Sequence, residues 1–336
     1  MNEELNKKID SMRCLVDLHL HLDGAISIDN CKMLAKMQNI EIPKNDDELR
    51  KLIMVNQDCN DLNEFLTKFK FPLSLLQTKQ AIKKSITNLV NELYSNGLIY
   101  AEIRFAPQLH INQGLSQEEV VLSAIEALKN SRIKTNLILC CMRGIDNEKE
   151  NLETVEIAKK YLNNGVSAID LAGAEGLYPT SNFKKIFEHA RKLDIPFTIH
   201  AGEADGPESV KCAIDYGAKR IGHGVRSIED IKVMNMLKQK NITLEVCPTS
   251  NICTSIYKSI NKIPIKTFIN EGISFTINTD DPVICNITLK NELKLIAKAF
   301  NLTYNDIINL QINSINSAFL KTEEKQELIE KILQYK

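Results

Sequence analysis

The chain has 336 residues, of which 43% are hydrophobic and 25% charged, a composition typical of a globular protein. Its 42 basic and 43 acidic residues leave a net charge of −1, so neither a nucleic acid nor an anionic membrane is indicated as a partner. No apolar run predicts a membrane span or a signal peptide. Nine dispersed cysteines without a C-x-x-C pair indicate reduced thiols and a cytoplasmic protein.

The opening strand carries the first chemical signal. It begins with the apolar residues 14–16, carries His19 and His21, and ends at Asp23-Gly24. Residues two apart on a strand share a face, so the two imidazoles point the same way and offer half of a metal site. The same pattern also suits a partly exposed strand with two polar side chains.

The segment between this strand and the next is long and helical in pattern. The periodicity predicts helices over Ser27–Gln38, Asp61–Lys70 and Ala81–Tyr94, with a turn at 43–47. In the middle helix the apolar residues fall at positions i, i+3, i+4 and i+7, namely Leu62, Phe65, Leu66 and Phe69. This face either packs into the core or forms a lid over a pocket.

From residue 98 onward, apolar runs alternate with helical patterns. The predicted pairs of strand and helix are Leu98–Phe105 with Gln117–Asn130, Ile133–Met142 with Asn151–Leu162, Val166–Leu171 with Ser181–Leu193, Phe197–His200 with Glu208–Tyr216, Arg220–Gly222 with Ile228–Lys238, Ile242–Val246 with Ile265–Asn270, and Ile273–Ile277 with Asn291–Phe300. Two further helices are predicted at Tyr304–Asn316 and Thr322–Leu333.

Counting the opening strand, eight strands are each followed by a helix, which is typical of a parallel sheet. Eight such units predict an α/β fold of the closed (β/α)8 TIM barrel type, with a doubly wound open sheet as the alternative. We expect one domain over residues 1–336. Residues 25–97 form a helical insertion that we expect to cover the site, and the extra helices close the C-terminus.

Polar residues collect where the predicted strands end, which is the edge where barrel enzymes place their active sites. Three imidazoles and one carboxylate there are candidate metal ligands, a set that suits zinc and other first-row divalent ions: His19, His21, His200 and Asp280. Such an ion makes hydroxide available near neutral pH and needs acid–base partners. The candidates for that role are Glu203, His223 and Asp281.

The remaining two histidines have simpler interpretations. His189 falls in a helical pattern among charged residues, and we expect it on a solvated face. His110 lies in the loop after the second strand of the pattern, from which it could reach the same edge, but a position away from the site is the favoured interpretation.

At this point the chain resembles the adenosine deaminase family of metal-dependent amidohydrolase barrels. The matching motifs run from the first strand to the eighth: His19–Gly24, Asp170–Gly173, His200–Glu203, Gly222–Gly224, Glu245–Pro248 and Asn278–Pro282. The resemblance covers nearly the whole chain, and it favours the lid interpretation of the helix over 61–70.

The resemblance implies a catalytic role for several of these residues. One zinc ion per chain would be held by His19, His21, His200 and Asp280. Glu203 would donate a proton to N1 of the purine. His223 would orient the attacking water and take its proton, and Asp281 would help to position the resulting hydroxide.

The resemblance also implies how the substrate binds. His21 would contact the substrate, Asp281 would hydrogen-bond N7, the backbone N–H of Gly173 would meet N3, and Asp23 would bind a ribose hydroxyl. The implied reaction turns adenosine, and 2′-deoxyadenosine with it, into the inosine product and ammonia in purine salvage. The partners are therefore a purine nucleoside and water, while the oligomeric state is not indicated.

Several other functions compete with this one. Two-metal amidohydrolases use a modified lysine on the fourth strand, and Val166–Leu171 contains none. The cytidine-type motifs H-x-E and P-C-x-x-C and the phosphate loop G-x-x-x-x-G-K-[ST] do not occur. An adenine deaminase, a deaminase of another 6-aminopurine nucleoside and a non-catalytic binding protein stay open as alternatives. Asp23 and Thr279 favour the adenosine branch.

Overall fold

The strands follow one another around a single cylinder. The structure, a computed structural model, describes residues 3–56 and 59–336. In the described residues the strands are β1 Leu15–His21, β2 Leu98–Phe105, β3 Lys134–Met142, β4 Val166–Ala172, β5 Thr198–Ala201, β6 Arg220–His223, β7 Thr243–Val246 and β8 Phe275–Ile277.

Helices surround these strands and fill the long first connection. They are α1 Glu3–Ser11, α2 Ile28–Gln38, α3 Asp46–Ile53, α4 Leu62–Leu66, α5 Lys70–Ser74, α6 Lys79–Ser95, α7 Gln117–Leu128, α8 Glu148–Tyr161, α9 Lys184–Lys192, α10 Pro207–Tyr216, α11 Ile231–Gln239, α12 Pro248–Cys253, α13 Ile265–Glu271, α14 Leu289–Phe300, α15 Tyr304–Ser317 and α16 Thr322–Leu333. Within the described ranges, none of them is long and apolar enough to cross a membrane.

All strand pairs are parallel, in the order β1-β2-β3-β4 and β5-β6-β7-β8. Two single bridges join these halves, Ile169 with Phe197 on one side and Leu20 with Asp280 on the other. The second junction has two backbone hydrogen bonds of 2.8 Å, from His21 N to Asp280 O and from Asp280 N to His19 O. The predicted (β/α)8 barrel is thereby confirmed.

The insertion between β1 and β2 differs from the predicted helices in the segment 61–70. The continuous helix predicted over 61–70 is wrong, because α4 ends at Leu66 and a 3₁₀ turn over Thr67–Phe69 leads into α5. Pro72 explains the break: a proline has no N–H to donate, and its ring would clash with the carbonyl four residues earlier in a continuous helix. The turn predicted at 43–47 is confirmed for residues 43–45, which precede the helix, whereas Asp46 and Asp47 already belong to α3, whose first turn is capped by the Asn45 side chain.

The barrel interior holds an array of charged side chains where such folds usually place branched apolar residues. Arg104 and Arg220 are among the largest fully buried side chains. Arg104 donates to Asp170 Oδ2 and to Glu245 Oε2, both at 2.9 Å. Arg220 donates to Glu245 Oε1 at 2.5 Å and also to Glu102 Oε2. Negative and positive side chains therefore alternate through this array, and each of them lies next to a side chain of opposite charge.

Replacing Arg220 by methionine should destabilise the protein. The change leaves Glu102 and Glu245 buried without this partner, and loss of one member of a buried ion pair costs about 3–5 kcal/mol. We expect a corresponding fall in the free energy of unfolding, measured by urea denaturation followed by circular dichroism. The control is Lys331→Met, which removes an exposed pair with Glu327 on α16 and should leave the midpoint nearly unchanged. Equal midpoints for the two variants would contradict the role given to the array.

Candidate active site

Three imidazole nitrogens and one carboxylate oxygen converge at the C-terminal mouth of the barrel. The Nε2 atom of His200 lies 3.0 Å from Nε2 of His19 and 3.2 Å from Nε2 of His21. Asp280 Oδ1 lies 3.1 Å from Nε2 of His19 and 3.4 Å from Nε2 of His21. All four side chains are buried. The structure therefore brings together the four residues that the sequence predicts as metal ligands.

Carboxylates behind two of the imidazoles set their orientation. His19 Nδ1 lies 2.8 Å from Glu245 Oε2, and His200 Nδ1 lies 2.9 Å from Asp170 Oδ2. A ring that donates its Nδ1–H to a carboxylate, as His19 can to Glu245, presents the lone pair of Nε2 on the opposite side, which is the usual arrangement of a metal-binding histidine. His200 Nδ1 lies within ion-pair distance of Asp170 but makes no hydrogen bond in the described structure. Both carboxylates belong to the buried charge array, so the array extends to the site.

The spacing of the donor atoms fits a small divalent ion. With metal–ligand bonds of 2.0–2.1 Å, neighbouring ligands of a tetrahedral zinc ion lie about 3.3 Å apart, and the measured separations run from 3.0 to 3.4 Å. A second, looser group replaces His21 by His223, with its ligand atoms within 4.8 Å of one another. His223 Nε2 is 3.7 Å from Asp280 Oδ2, against 3.4 Å from His21 Nε2 to Asp280 Oδ1, so both imidazoles lie near this carboxylate and His21 is slightly closer.

Glu203 and His223 face each other next to this cluster. Glu203 Oε2 lies 3.6 Å from His223 Nε2. Burial, reinforced by the negative charge of Asp280, holds the pKa of Glu203 well above its ordinary range, while burial lowers the pKa of His223 to about 3. The surroundings therefore favour the protonated form of Glu203 and the neutral form of His223, which are the two forms that an acid–base pair at neutral pH requires.

The loop after β7 holds this pair from behind. Asn251 Nδ2 lies 3.0 Å from His223 Nδ1, and the Thr254 hydroxyl donates to Glu203 Oε1 at 3.2 Å. Both side chains are buried on or just after α12, in a stretch that the sequence predicts only as irregular chain. The short helix turns one side chain toward the imidazole and the other toward the carboxyl group.

Two site residues have a backbone conformation that residues other than glycine rarely adopt. Asp280 has φ of 60° and His223 has φ of 58°, both in the left-handed region. Such conformations cost about 1–3 kcal/mol each and persist where the surrounding structure holds them. At Asp280 the hydrogen bonds to β1 supply that constraint, since its N–H and C=O are both paired with the histidine strand.

Asp281 lies against the end of β1, where only a glycine fits. A Cβ atom added to Gly24 would be 1.8 Å from Asp281 Oδ1. Burial and the charge of Asp280 hold the pKa of Asp281 well above its ordinary range, and burial raises the pKa of Asp23 to about 7. The Oδ1 atoms of Asp23 and Asp281 are buried without a hydrogen-bond partner in the described structure. Asp23 lines the cavity described next, whereas Asp281 lies behind that lining, against Gly24.

A cavity of about 290 Å³ opens from the cluster, close to the size range of small-molecule sites. Its polar lining includes Asp23, Gly173 and Glu203, and the apolar wall comes from α4, the following 3₁₀ turn and α5 through Leu62, Phe65, Leu66, Phe69 and Leu73. Gly173 has φ of 107°, a conformation that glycine adopts readily. The apolar face of residues 62–69 thus borders the cavity, and its rings also contact each other and His21.

The histidines outside the predicted set lie elsewhere, as their sequence contexts suggest. His189 is half-buried on α9 and pairs with Glu156, 2.6 Å away. His110 is fully buried with its Nδ1 atom 3.0 Å from Leu76 O, and it is not among the residues that line the cavity.

Sequence reasoning missed the residues that support the site. Arg104 sits with Glu102 on one face of an otherwise apolar strand, which is a visible signal of a charged barrel interior. Asp170 and Glu245 lie in the quoted motifs, but their sequence positions do not reveal that they orient histidines. Arg143 and Glu175 carry no local signal at all.

The family model described as adenosine deaminase matches residues 14–335. The protein named adenosine deaminase of Haemophilus ducreyi is 46% identical over 329 residues, covering 95% of this chain and 96% of that protein. The Enterococcus faecalis protein of the same name is 35% identical, with 94% of this chain and 95% of that protein covered.

Solved structures show the same architecture. The adenine deaminase of Arthrobacter aurescens superposes with a TM-score of 0.88 at 25% identity, covering 96% of this chain and 99% of that one. The Arabidopsis N6-mAMP deaminase gives 0.86 at 24% identity, with 98% and 99% covered, and this likeness concerns the fold alone. The family model spans nearly the whole chain and the two relatives are 46% and 35% identical over more than nine tenths of it, so the chain belongs to the adenosine deaminase family.

Proposed function

We propose that this chain hydrolyses adenosine, and 2′-deoxyadenosine with it, to the inosine product and ammonia, and so serves purine salvage. The observation that carries the proposal is the arrangement at the barrel mouth. Four metal-donor atoms have measured separations of 3.0–3.4 Å. Three of their residues, His21, His200 and Asp280, line a cavity together with Glu203, a carboxylic acid of raised pKa. Family membership supports the same reaction.

The ligands of the proposed metal ion are His19, His21, His200 and Asp280, and the ion is zinc, one per chain. Three nitrogens and one oxygen at near-tetrahedral spacing support this choice. When bound, the ion supplies Lewis-acid chemistry that makes hydroxide available from water at neutral pH.

Two residues carry out the proposed proton transfers. Glu203 donates a proton to N1 of the purine, which makes C6 more electrophilic, and its raised pKa keeps that proton available. His223 faces Glu203 and Asp280, so it can orient the attacking water and accept its proton. The water oxygen bonds to C6 as its first proton passes to His223. The bond from C6 to the exocyclic nitrogen then breaks, and the amino group takes up the proton from His223 and leaves as ammonia. The second water proton returns to Glu203 as the C6 carbonyl forms, while N1 keeps the proton that it received.

The substrate is held by groups around the cavity. N7 and N3 of the purine are both acceptors, so they need donors. Asp281, protonated because of its raised pKa, donates to N7 and helps to position hydroxide, and the backbone N–H of Gly173 donates to N3. His21 contacts the substrate beside the ion, and the unpartnered oxygen of Asp23 accepts from a ribose hydroxyl.

The cavity wall favours a nucleoside over a nucleotide. Arg143 is the single lysine or arginine among the described lining residues. Its guanidinium is already committed, donating to Tyr178 O at 2.6 Å, Thr180 Oγ1 at 3.0 Å and His200 O at 2.5 Å. A phosphate group would therefore find no free cation there, whereas the apolar residues of 62–73 suit a sugar and a base. We propose that the insertion 25–97 covers the bound nucleoside within a single domain over 1–336.

A reducing, cytoplasmic setting completes the proposal. All nine cysteines lie in the described ranges as free thiols, and seven of them are buried. Substrate and water are the proposed partners.

The substrate assignment is tested by an absorbance assay with adenosine, 2′-deoxyadenosine and adenine under identical conditions. We expect turnover of both nucleosides and much slower turnover of adenine, because adenine has no sugar hydroxyl to bind Asp23. An Asp23→Ala variant should bring the nucleosides closer to adenine in kcat/KM. Adenine turnover as fast as that of adenosine would instead support an adenine deaminase.

Glu203→Gln should abolish nearly all turnover while leaving metal and fold in place. The amide has almost the same shape but no acidic proton, so only the donation to N1 is lost; general acid catalysis of this kind contributes roughly 10²–10⁴-fold. Elemental analysis should find one zinc per chain in both wild type and variant, with equal thermal melting temperatures. A variant that loses the metal would show that Glu203 acts structurally.

Gly24→Ala should also lower kcat strongly, because the new methyl group occupies the place of the Asp281 carboxyl oxygen. Gly176→Ala is the matched control, since a Cβ atom there meets only the Ala204 side chain at 3.9 Å. Steady-state kinetics on the two purified variants make the comparison. Equal kcat values for both would remove Asp281 from the proposed chemistry.

A further inference from the structure

Glu175 holds the loop that carries Glu203. Its side chain follows β4, is 1% exposed, and is absent from the residues that line the described cavity. Its Oε1 atom accepts from the backbone N–H of Gly202 at 2.7 Å. Its Oε2 atom accepts from the N–H groups of Glu203 at 3.0 Å and Asp205 at 2.9 Å. One carboxylate therefore gathers three amide donors from four consecutive residues.

A series of hydrogen-bonded, buried side chains keeps this carboxylate in place. Ser209, on α10, donates its hydroxyl to Glu175 Oε1 at 2.5 Å and lies 2.7 Å from the hydroxyl of Thr180. Thr180 in turn accepts from Arg143, which also donates to His200 O. This series of hydrogen bonds therefore contacts one short backbone segment at both of its ends. Arg143 donates to the carbonyl of the proposed ligand His200, and Glu175 accepts from the amides that follow it.

The local backbone needs such support. Gly202 has φ of 71°, and a Cβ atom there would come within 2.4 Å of the Val210 side chain. The chain thus turns sharply between His200, which points to the metal cluster, and Glu203, which points to His223. Without this acceptor, three N–H groups in that turn, two buried and one partly buried, would each lose a hydrogen bond.

We propose that Glu175 is a positioning residue that sets the place of the Glu203 carboxyl group against the purine ring, and this rests on the function proposed above. Glu175 touches neither substrate nor metal in this arrangement. It acts through the 202–205 backbone, and the link spans two strands, because Glu175 follows β4 and Glu203 follows β5. Glu175 thereby connects the loop after β4, which contains Gly173, to the loop after β5, which contains the proposed proton donor Glu203.

Glu175→Gln tests this role. Glutamine keeps the size of the side chain but has one acceptor oxygen, so its NH₂ group must face at least one of the three amide N–H groups. A shift of the proton donor by about 1 Å can cost about 100-fold in rate. We expect kcat for adenosine to fall by about that factor, with a much smaller change in KM and one metal ion still bound.

Binding of 1-deazaadenosine separates positioning from general disorder. This analogue lacks N1, so its affinity does not use the Glu203 contact. We expect its inhibition constant to be nearly the same in wild type and Glu175→Gln. A loss of 1-deazaadenosine affinity as large as the loss of adenosine turnover would overturn the proposal in favour of a purely structural role.

Glu292→Gln is the matched control. Glu292 is also fully buried, its Oε1 atom accepts one backbone N–H, from Thr249 at 2.8 Å, and burial raises its pKa to about 8. Glutamine can keep that single hydrogen bond, so kcat should change little. If Glu175→Gln does not fold, Glu175→Asp takes its place, because it keeps the charge but withdraws the carboxylate by one methylene.

The outcomes separate the two levels of the proposal. A wild-type enzyme without activity on adenosine would refute the proposed function itself. With an active wild type, a loss of less than about tenfold in Glu175→Gln would refute the positioning role and leave the function intact.

Discussion

The site depends on the backbone hydrogen bonds that join β8 to β1. Two bonds of 2.8 Å link Asp280 with His19 and His21, so the strand pairing itself brings the proposed ligands from opposite ends of the chain to within 3.4 Å. The same bonds hold Asp280 in the left-handed region, at φ of 60°. The pairing that closes the barrel therefore also completes the donor cluster.

The buried charged side chains connect this site to the interior of the barrel. From Glu102 the contacts pass to Arg220, Glu245, Arg104 and Asp170, and the array ends against the Nδ1 atoms of His19 and His200. Charged groups are costly to bury unless each is paired, and here the pairing also decides which ring nitrogen faces the cluster. Fold stability and ligand orientation therefore share the same side chains, which is why Arg220 matters although it lies at the start of β6.

Sequence reasoning succeeded where periodicity and residue type agree, and failed where a contact comes from elsewhere in the chain. Strand β2 was predicted to the residue, and the alternation of elements led directly to the barrel. The helix over 61–70 was predicted as continuous because its apolar spacing dominates, yet Pro72 breaks it. Glu175 could not be found, since its role consists of contacts with a loop after another strand, and nothing in its local sequence records them.

The sequence by itself determined the strand and helix order, the chemical types at the strand ends and the resemblance to one family, because these depend on local pattern and residue identity. Only the tertiary structure decided which donor atoms approach to within 3.0–3.4 Å of one another, that His21 Nε2 is 3.4 Å and His223 Nε2 3.7 Å from an oxygen of Asp280, and that Asp281 lies where only Gly24 leaves room. These contacts join residues far apart in the chain and differ by only a few tenths of an ångström, so only the closed barrel sets them.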